Sequence, residues 1–123
     1  MTERVWNYKA TAGRVAGVDL TGFKVEATDG GIGKVDAHSD EVDDAYLVVD
    51  TGGWIFGKEV LLPADTVVSI DPEEEKVFLD LTRGQVKDAP EFRRDEHLDH
   101  PGYHRELGRY YDVGVPFGGG RPV

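Results

Sequence analysis

An all-β fold is predicted for this chain: a small β-barrel of about six strands, followed by an extended C-terminal tail. Three observations carry that expectation. Short apolar runs recur between Phe23 and Leu81, and turn residues close each of them. Several of these runs alternate apolar and polar residues with a period of two, the signature of a strand with one wet face. Glycine is abundant, 16 of 123 residues, against an average usage of about 7%, which suits a turn-rich β protein better than a helical bundle.

Taken in order, residues 1–15 form a polar N-terminal segment in which Trp6 and Tyr8 stand two apart. In an extended chain they face the same side, placed to cover an apolar edge of the barrel. Phe23–Ala27 is the first strand. Asp29-Gly30-Gly31 follows as a turn, because glycine accepts positive φ. Gly33, Val35 and Ala37 then alternate with Lys34, Asp36 and His38, completing a hairpin. Residues 39–44, Ser-Asp-Glu-Val-Asp-Asp, read as a polar connection. The runs 45–49 and 58–62 are apolar on both faces where they are densest, as buried strands are. Pro63 cannot donate to a ladder and ends the second run. Thr66–Ile70 and Val77–Leu81 form a second hairpin around the charged turn 71–76, with Pro72 at its second position. Thr82-Arg-Gly-Gln85 has capping-box spacing, so a short helical turn is expected over residues 83–88. Residues 93–123 are charged and Gly-rich, with room for one short helix over 103–111 that Gly108 weakens.

Order and spacing together resemble the PRC-barrel domain. The resemblance rests on Asp19-Leu-Thr-Gly-Phe-Lys-Val25, Gly31-Ile-Gly-Lys-Val35, Tyr46-Leu-Val-Val-Asp50, Lys58-Glu-Val-Leu-Leu-Pro-Ala64 and Lys87-Asp-Ala-Pro-Glu-Phe92. It covers residues 16–92, about three-fifths of the chain. It implies a small β-barrel that acts as an interaction module without shared catalytic residues. The family includes the barrel of the photosynthetic reaction-centre H subunit and the C-terminal domain of a ribosome maturation factor. This chain is more similar to the stand-alone bacterial members, since it carries neither a membrane span nor a preceding RNA-binding domain.

Composition bounds the function. Asp and Glu number 24 against 14 Lys and Arg, a formal charge of −10. Nucleic acid is held by Lys and Arg that displace counterions, so direct nucleic-acid binding is not expected. The one basic region, Arg83, Lys87, Arg93 and Arg94, is interrupted by acids. The absence of cysteine excludes disulfides and thiol chemistry. No apolar run suits a signal peptide or a membrane span, and a cytoplasmic protein without membrane insertion is the expectation.

Four groups of residues are candidates for a site. Trp54, Ile55 and Phe56, with Tyr46 in the doubly apolar run, offer more apolar surface than one small barrel interior needs. Such a surplus marks an interface, and a homodimer would bury it. His97, His100 and His104, among carboxylates, have the chemistry of a transition-metal site. The acids Asp36, Asp40, Glu41, Asp43, Asp44 and Asp50 fall mostly in a loop, where water keeps carboxylates ordinary, and no EF-hand spacing is present. Gly30-Gly-Ile-Gly33 is followed by a strand, whereas a phosphate cradle needs a helix there. The expectation is therefore a non-catalytic interaction module, not an enzyme, without cofactor and acting with an unidentified protein partner. A metal-binding protein is the alternative. An accessory factor in ribosome or RNA processing, working through a protein partner, is the second alternative.

Overall fold

The computed structural model describes residues 5–14, 17–41, 43–55 and 59–113. Six strands form one sheet: β1 (Lys24–Ala27), β2 (Gly30–Glu41), β3 (Asp44–Asp50), β4 (Glu59–Pro63), β5 (Val67–Asp71) and β6 (Lys76–Leu79). Their order across the sheet is β4-β3-β2-β1-β6-β5. All pairs are antiparallel except β1 with β6, where Val25 stands beside Val77 in parallel register. Three helices follow: α1 (Arg83–Lys87), α2 (Arg94–His97) and α3 (Pro101–Val113). The capping box is present, with the Gln85 N–H donating to Thr82 Oγ1 at 3.1 Å and the Thr82 N–H donating to Gln85 Oε1 at 2.8 Å.

The sheet does not close into a barrel, which corrects the sequence expectation. β4 and β5 are its two edges, yet only the single 3-10 turn Ala64–Thr66 separates them in the chain. Three residues span at most about 11 Å, so the sheet must curl until its edges meet at that corner. Register shifts in the β1–β2, β2–β3 and β5–β6 pairings supply local twist, as bulges do. The corner itself uses up the groups that a closing ladder would need. Pro63 has no N–H, its carbonyl accepts from Thr66 Oγ1 at 2.8 Å, and the Val67 N–H returns to Ala64. Along its length β4 is covered instead, because Glu59, Val60 and Leu61 share a cavity wall with residues 86–92 and with α3. Covering an edge protects it as pairing would.

Hairpin β2–β3 is longer than its side chains suggest. Ser39, Asp40 and Glu41 pair with Tyr46, Ala45 and Asp44, so the segment expected as a polar connection is mostly strand. Backbone N–H and C=O groups pair in a ladder whatever the polarity of their side chains. The chain reverses beside Asp43, whose φ is +65°, a left-handed conformation that Asp and Asn tolerate better than most residues.

Residues 93–113 are helical rather than extended, and the short helix expected over 103–111 lies within α3. Residues 93–113 carry two helices, and α3 buries Tyr103, Leu107 and Tyr111, the i, i+4, i+8 stripe of one helix face. Pro101 is the first residue of α3. Its missing N–H costs nothing there, and its φ is already helical. His100 Nδ1 accepts the Tyr103 N–H at 3.0 Å, acting as the cap. Gly108 does not end the helix. A Cβ at this position would lie 2.9 Å from Trp6 Nε1 and 3.2 Å from Val5 Cγ1, so the glycine lets the N-terminal segment pack directly on α3. Arg94 ties α2 to the sheet through Asp36 of β2 and, at 3.0 Å, Glu59 of β4.

One apolar cluster therefore includes Val5 and Trp6 from the N-terminal segment, Leu47 and Leu61 from the sheet, and Leu107 from α3. The three segments read from the sequence share a single core. Among the described residues no helix is long and apolar enough to cross a membrane.

Burial also sets how the fold responds to alkali. Desolvation raises the Tyr103 hydroxyl above its ordinary value of 10.0, with smaller contributions from Glu106 and Glu91, and raises Tyr111 well above it. A raised folded-state pKa means that the stabilising contribution is complete below pH 10. It is lost as pH rises further, because the unfolded chain ionises where the folded one resists. Each tyrosine is expected to remove about 1.4 kcal/mol per pH unit above pH 10. Urea midpoints between pH 9 and pH 11.5 check this. Tyr103→Phe should flatten part of the fall, and an identical slope in that variant would contradict the assignment.

Candidate functional site

The apolar surface expected as an interface is largely occupied by the chain itself. Tyr46 on β3 meets Trp6 edge-on, with ring centroids 6.5 Å apart, and His104 at 6.1 Å. Trp6 stacks on His104 at 5.0 Å. Trp54 donates its Nε1–H to the Ile32 carbonyl at 2.8 Å, and the Arg83 guanidinium lies 4.3 Å over its ring. Ile55 is buried in the core. Phe56 lies outside the described residues. The cation over Trp54 and the ring cluster over Tyr46 are tertiary contacts between residues at least 29 apart in sequence, which strand periodicity does not reveal. Among the described residues Val18 is the one exposed large hydrophobic, and Tyr46 and Trp54 are half-buried.

The three tail histidines do not converge. His97 Nδ1 accepts the Arg93 N–H at 2.9 Å, and its ring stacks on Tyr103 at 4.2 Å. His100 caps α3. His104 Nε2 lies 2.6 Å from the Leu98 carbonyl, which can only accept, so the neutral ring carries its proton on Nε2. Its Nδ1 faces Asp44 Oδ1 at 3.5 Å. Each imidazole thus serves a helix end or a ring stack. Among the described residues no group of three or more His, Asp or Glu could hold a metal ion.

His38 is the histidine that sequence reasoning left without a role. Its Nε2 receives the Leu20 N–H and lies beside Asp19 Oδ1, both at 3.2 Å, while its buried Nδ1 is 3.6 Å from Asp40 Oδ2. Asp40 is gripped by the nearly buried Arg14 through contacts of 3.0 and 2.5 Å. The Asp19 carboxyl is held down at about 2, first by the Thr21 backbone N–H and then by the Thr21 side chain. This group pins the loop before β1 to β2 and stands away from any described cleft.

A cleft of about 360 Å³ lies where three distant segments meet. The N-terminal segment supplies Trp6. The β2–β3 turn supplies Asp43 and Asp44. The start of α3 supplies Pro101, His104, Arg105 and Gly108, with Asp99 just before it. These α3 positions share one face, opposite in role to the buried Tyr103–Leu107–Tyr111 stripe. Asn7 fixes the turn: its Nδ2 donates to Asp43 Oδ1 at 2.8 Å, and its Oδ1 accepts the Asp43 N–H at 2.9 Å. Three carboxylates against one guanidinium leave the cleft mouth negative. The sequence reads Asp43 and Asp44 as solvated charge and Asp99 as one of the carboxylates among the tail histidines. It gave no signal that Asp99 would join Asp43 and Asp44, because that depends on the helical fold of residues 93–113.

Fold and site together define a small sheet-rich protein with a helical cover and an acidic cleft. No family model matches the chain. A 52-residue stretch, 42% of the chain, is 44% identical to an uncharacterised protein of Deinococcus radiodurans, of which it covers 18%. The likeness is thus to a minor part of a much longer protein.

Proposed function

We propose that this chain is a non-catalytic interaction module of the PRC-barrel type that binds a basic segment of a partner protein in its acidic cleft. The observation that carries this reading is the convergence of Asp43, Asp44 and Asp99 around a cleft of about 360 Å³, on a chain whose formal charge is −10. A field of one sign focused in a cleft attracts the opposite charge and speeds encounter. Family membership draws its support from the position of the resembling residues. Gly31–Val35 lies in β2, Tyr46–Asp50 in β3 and Glu59–Pro63 in β4. Homodimerisation is not part of the proposal, because no observation among the described residues supports it. Proteins that act on RNA carry basic segments, so an accessory role in ribosome or RNA processing is one source of such a partner.

Anisotropy of a labelled lysine-rich peptide tests the reading. Binding is expected to weaken as salt rises and to fall about tenfold when Asp43, Asp44 and Asp99 are all replaced by Asn, a loss of about 1.4 kcal/mol. Asn suits the left-handed backbone at position 43. Neutralising Glu73 and Glu74, on the turn between β5 and β6, should change binding little. Equal losses in both variants would reduce the effect to net charge and sink the proposal.

A further inference from the structure

His104 stands at the start of α3, in the wall of the acidic cleft, and its surroundings fix where its proton sits. Because Nε2 lies 2.6 Å from the Leu98 carbonyl, the neutral ring keeps its hydrogen there and a lone pair on Nδ1. That Nδ1 is 3.5 Å from Asp44 Oδ1. A lone pair and a carboxylate oxygen repel one another. One added proton turns the same contact into a charge-assisted pair. The ring is already held for the exchange. Trp6 stacks on it with centroids 5.0 Å apart, and Tyr46 meets it in an edge contact at 6.1 Å. A positive charge within about 6 Å of an indole face is attracted to it.

We propose that His104 is a pH switch on the acidic cleft: once protonated, it pairs with Asp44 and withdraws that carboxylate from a bound basic segment. The switch rests on the reading of the cleft as a site for basic segments. With His104 neutral, the β2–β3 turn presents Asp43 and Asp44, and the link before α3 presents Asp99, against Arg105. Protonation adds a positive charge to the wall and neutralises one of these three carboxylates. Affinity for a cationic segment therefore falls as the solution becomes more acidic. The other groups around the ring do not reproduce this. Trp6, from the N-terminal segment, carries no charge. Tyr46, from β3, is pushed above its ordinary value by burial and then by Asp44, Asp99 and Glu41, so it stays neutral. Arg105, the next residue of α3, supplies a fixed positive charge. His100 precedes α3, and its Nδ1 is occupied by the Tyr103 N–H at 3.0 Å.

The test is the affinity of the full chain for a labelled lysine-rich peptide free of histidine, measured by anisotropy at pH 8 and pH 5.5 in the same salt. Histidine is the side chain whose ordinary titration falls in that interval. Wild-type affinity is expected to fall about threefold at pH 5.5, the size of one exposed charge pair. His104→Gln keeps an N–H donor for the Leu98 carbonyl and retains the other three histidines, so any pH dependence of theirs persists in it. Its affinity is expected to fall much less. Equal falls in the two proteins, or no fall in the wild type, would overturn the switch while leaving the cleft as a binding site. No binding at pH 8 would overturn the reading of the cleft and the switch with it. The amide shifts of Asp43 and Asp44 in the free protein check the pair without a ligand. They should move between the two pH values in the wild type and stay in place in His104→Gln, and equal movement in both would contradict the pairing. A folded spectrum for His104→Gln makes these comparisons decisive.

Discussion

Gly33→Ala is expected to destabilise the protein by about 3 kcal/mol, at the upper end of what overpacking costs. Gly33 lies on β2, next to Lys34, which pairs with Asp50 of β3. A Cβ on Gly33 would stand 2.1 Å from the Asp50 carbonyl oxygen and 2.9 Å from its carbon. Those atoms are backbone. Asp50 is also paired with Glu59 on its other side, so relief would require moving two strand pairings together. Gly31 provides the comparison. A Cβ there meets nothing nearer than 3.8 Å, and that contact is the end of the Glu26 side chain. Gly31→Ala should therefore cost under about 1 kcal/mol. Urea midpoints of the two variants separate these outcomes, and similar losses would contradict the close approach.

Leu107→Ala is expected to cost about 3 kcal/mol, within the range for emptying a buried leucine site. Leu107 is 1% exposed and lies in the apolar cluster with Leu61 and Trp6. The direction is informative because alanine is the better helix former. In a helix detached from the sheet, the same substitution would change nothing or stabilise slightly. Arg109→Ala, on the exposed side of α3, should stay within about 0.5 kcal/mol. A Leu107→Ala urea midpoint equal to that of Arg109→Ala would show that α3 does not cover the sheet.

The strands were legible because their signals are local. Period-two alternation and Gly, Pro and Asp turns placed β1, β3, β4, β5 and β6 to within a residue or two, and Thr82 with Gln85 placed α1 from side-chain chemistry alone. β2 was read short because Ser39–Glu41 carry no apolar pattern, although their backbones pair. The parallel contact of β1 with β6 joins residues about fifty apart, and no local pattern reports it. α3 was more legible than its composition suggests. Tyr103, Leu107 and Tyr111 stand at i, i+4 and i+8, a stripe obscured by Gly108 and by Pro101, both of which have positional uses there. Of the apolar surface, Tyr46 is met by Trp6 and by His104 of α3, a contact hidden in the sequence because charged residues outnumber apolar ones over 93–113. A helix needs only one face to be apolar.

Amide hydrogen exchange along α3 tests most directly whether residues 93–113 are part of the fold. If α3 covers the sheet, the amides of Leu107 and Tyr111 should exchange far more slowly than in an unstructured peptide. They should also lose protection together with those of Leu47 and Val48 as urea is raised, because they share one core. Exchange of the α3 amides at unprotected rates, while the β3 amides stay protected, would contradict it.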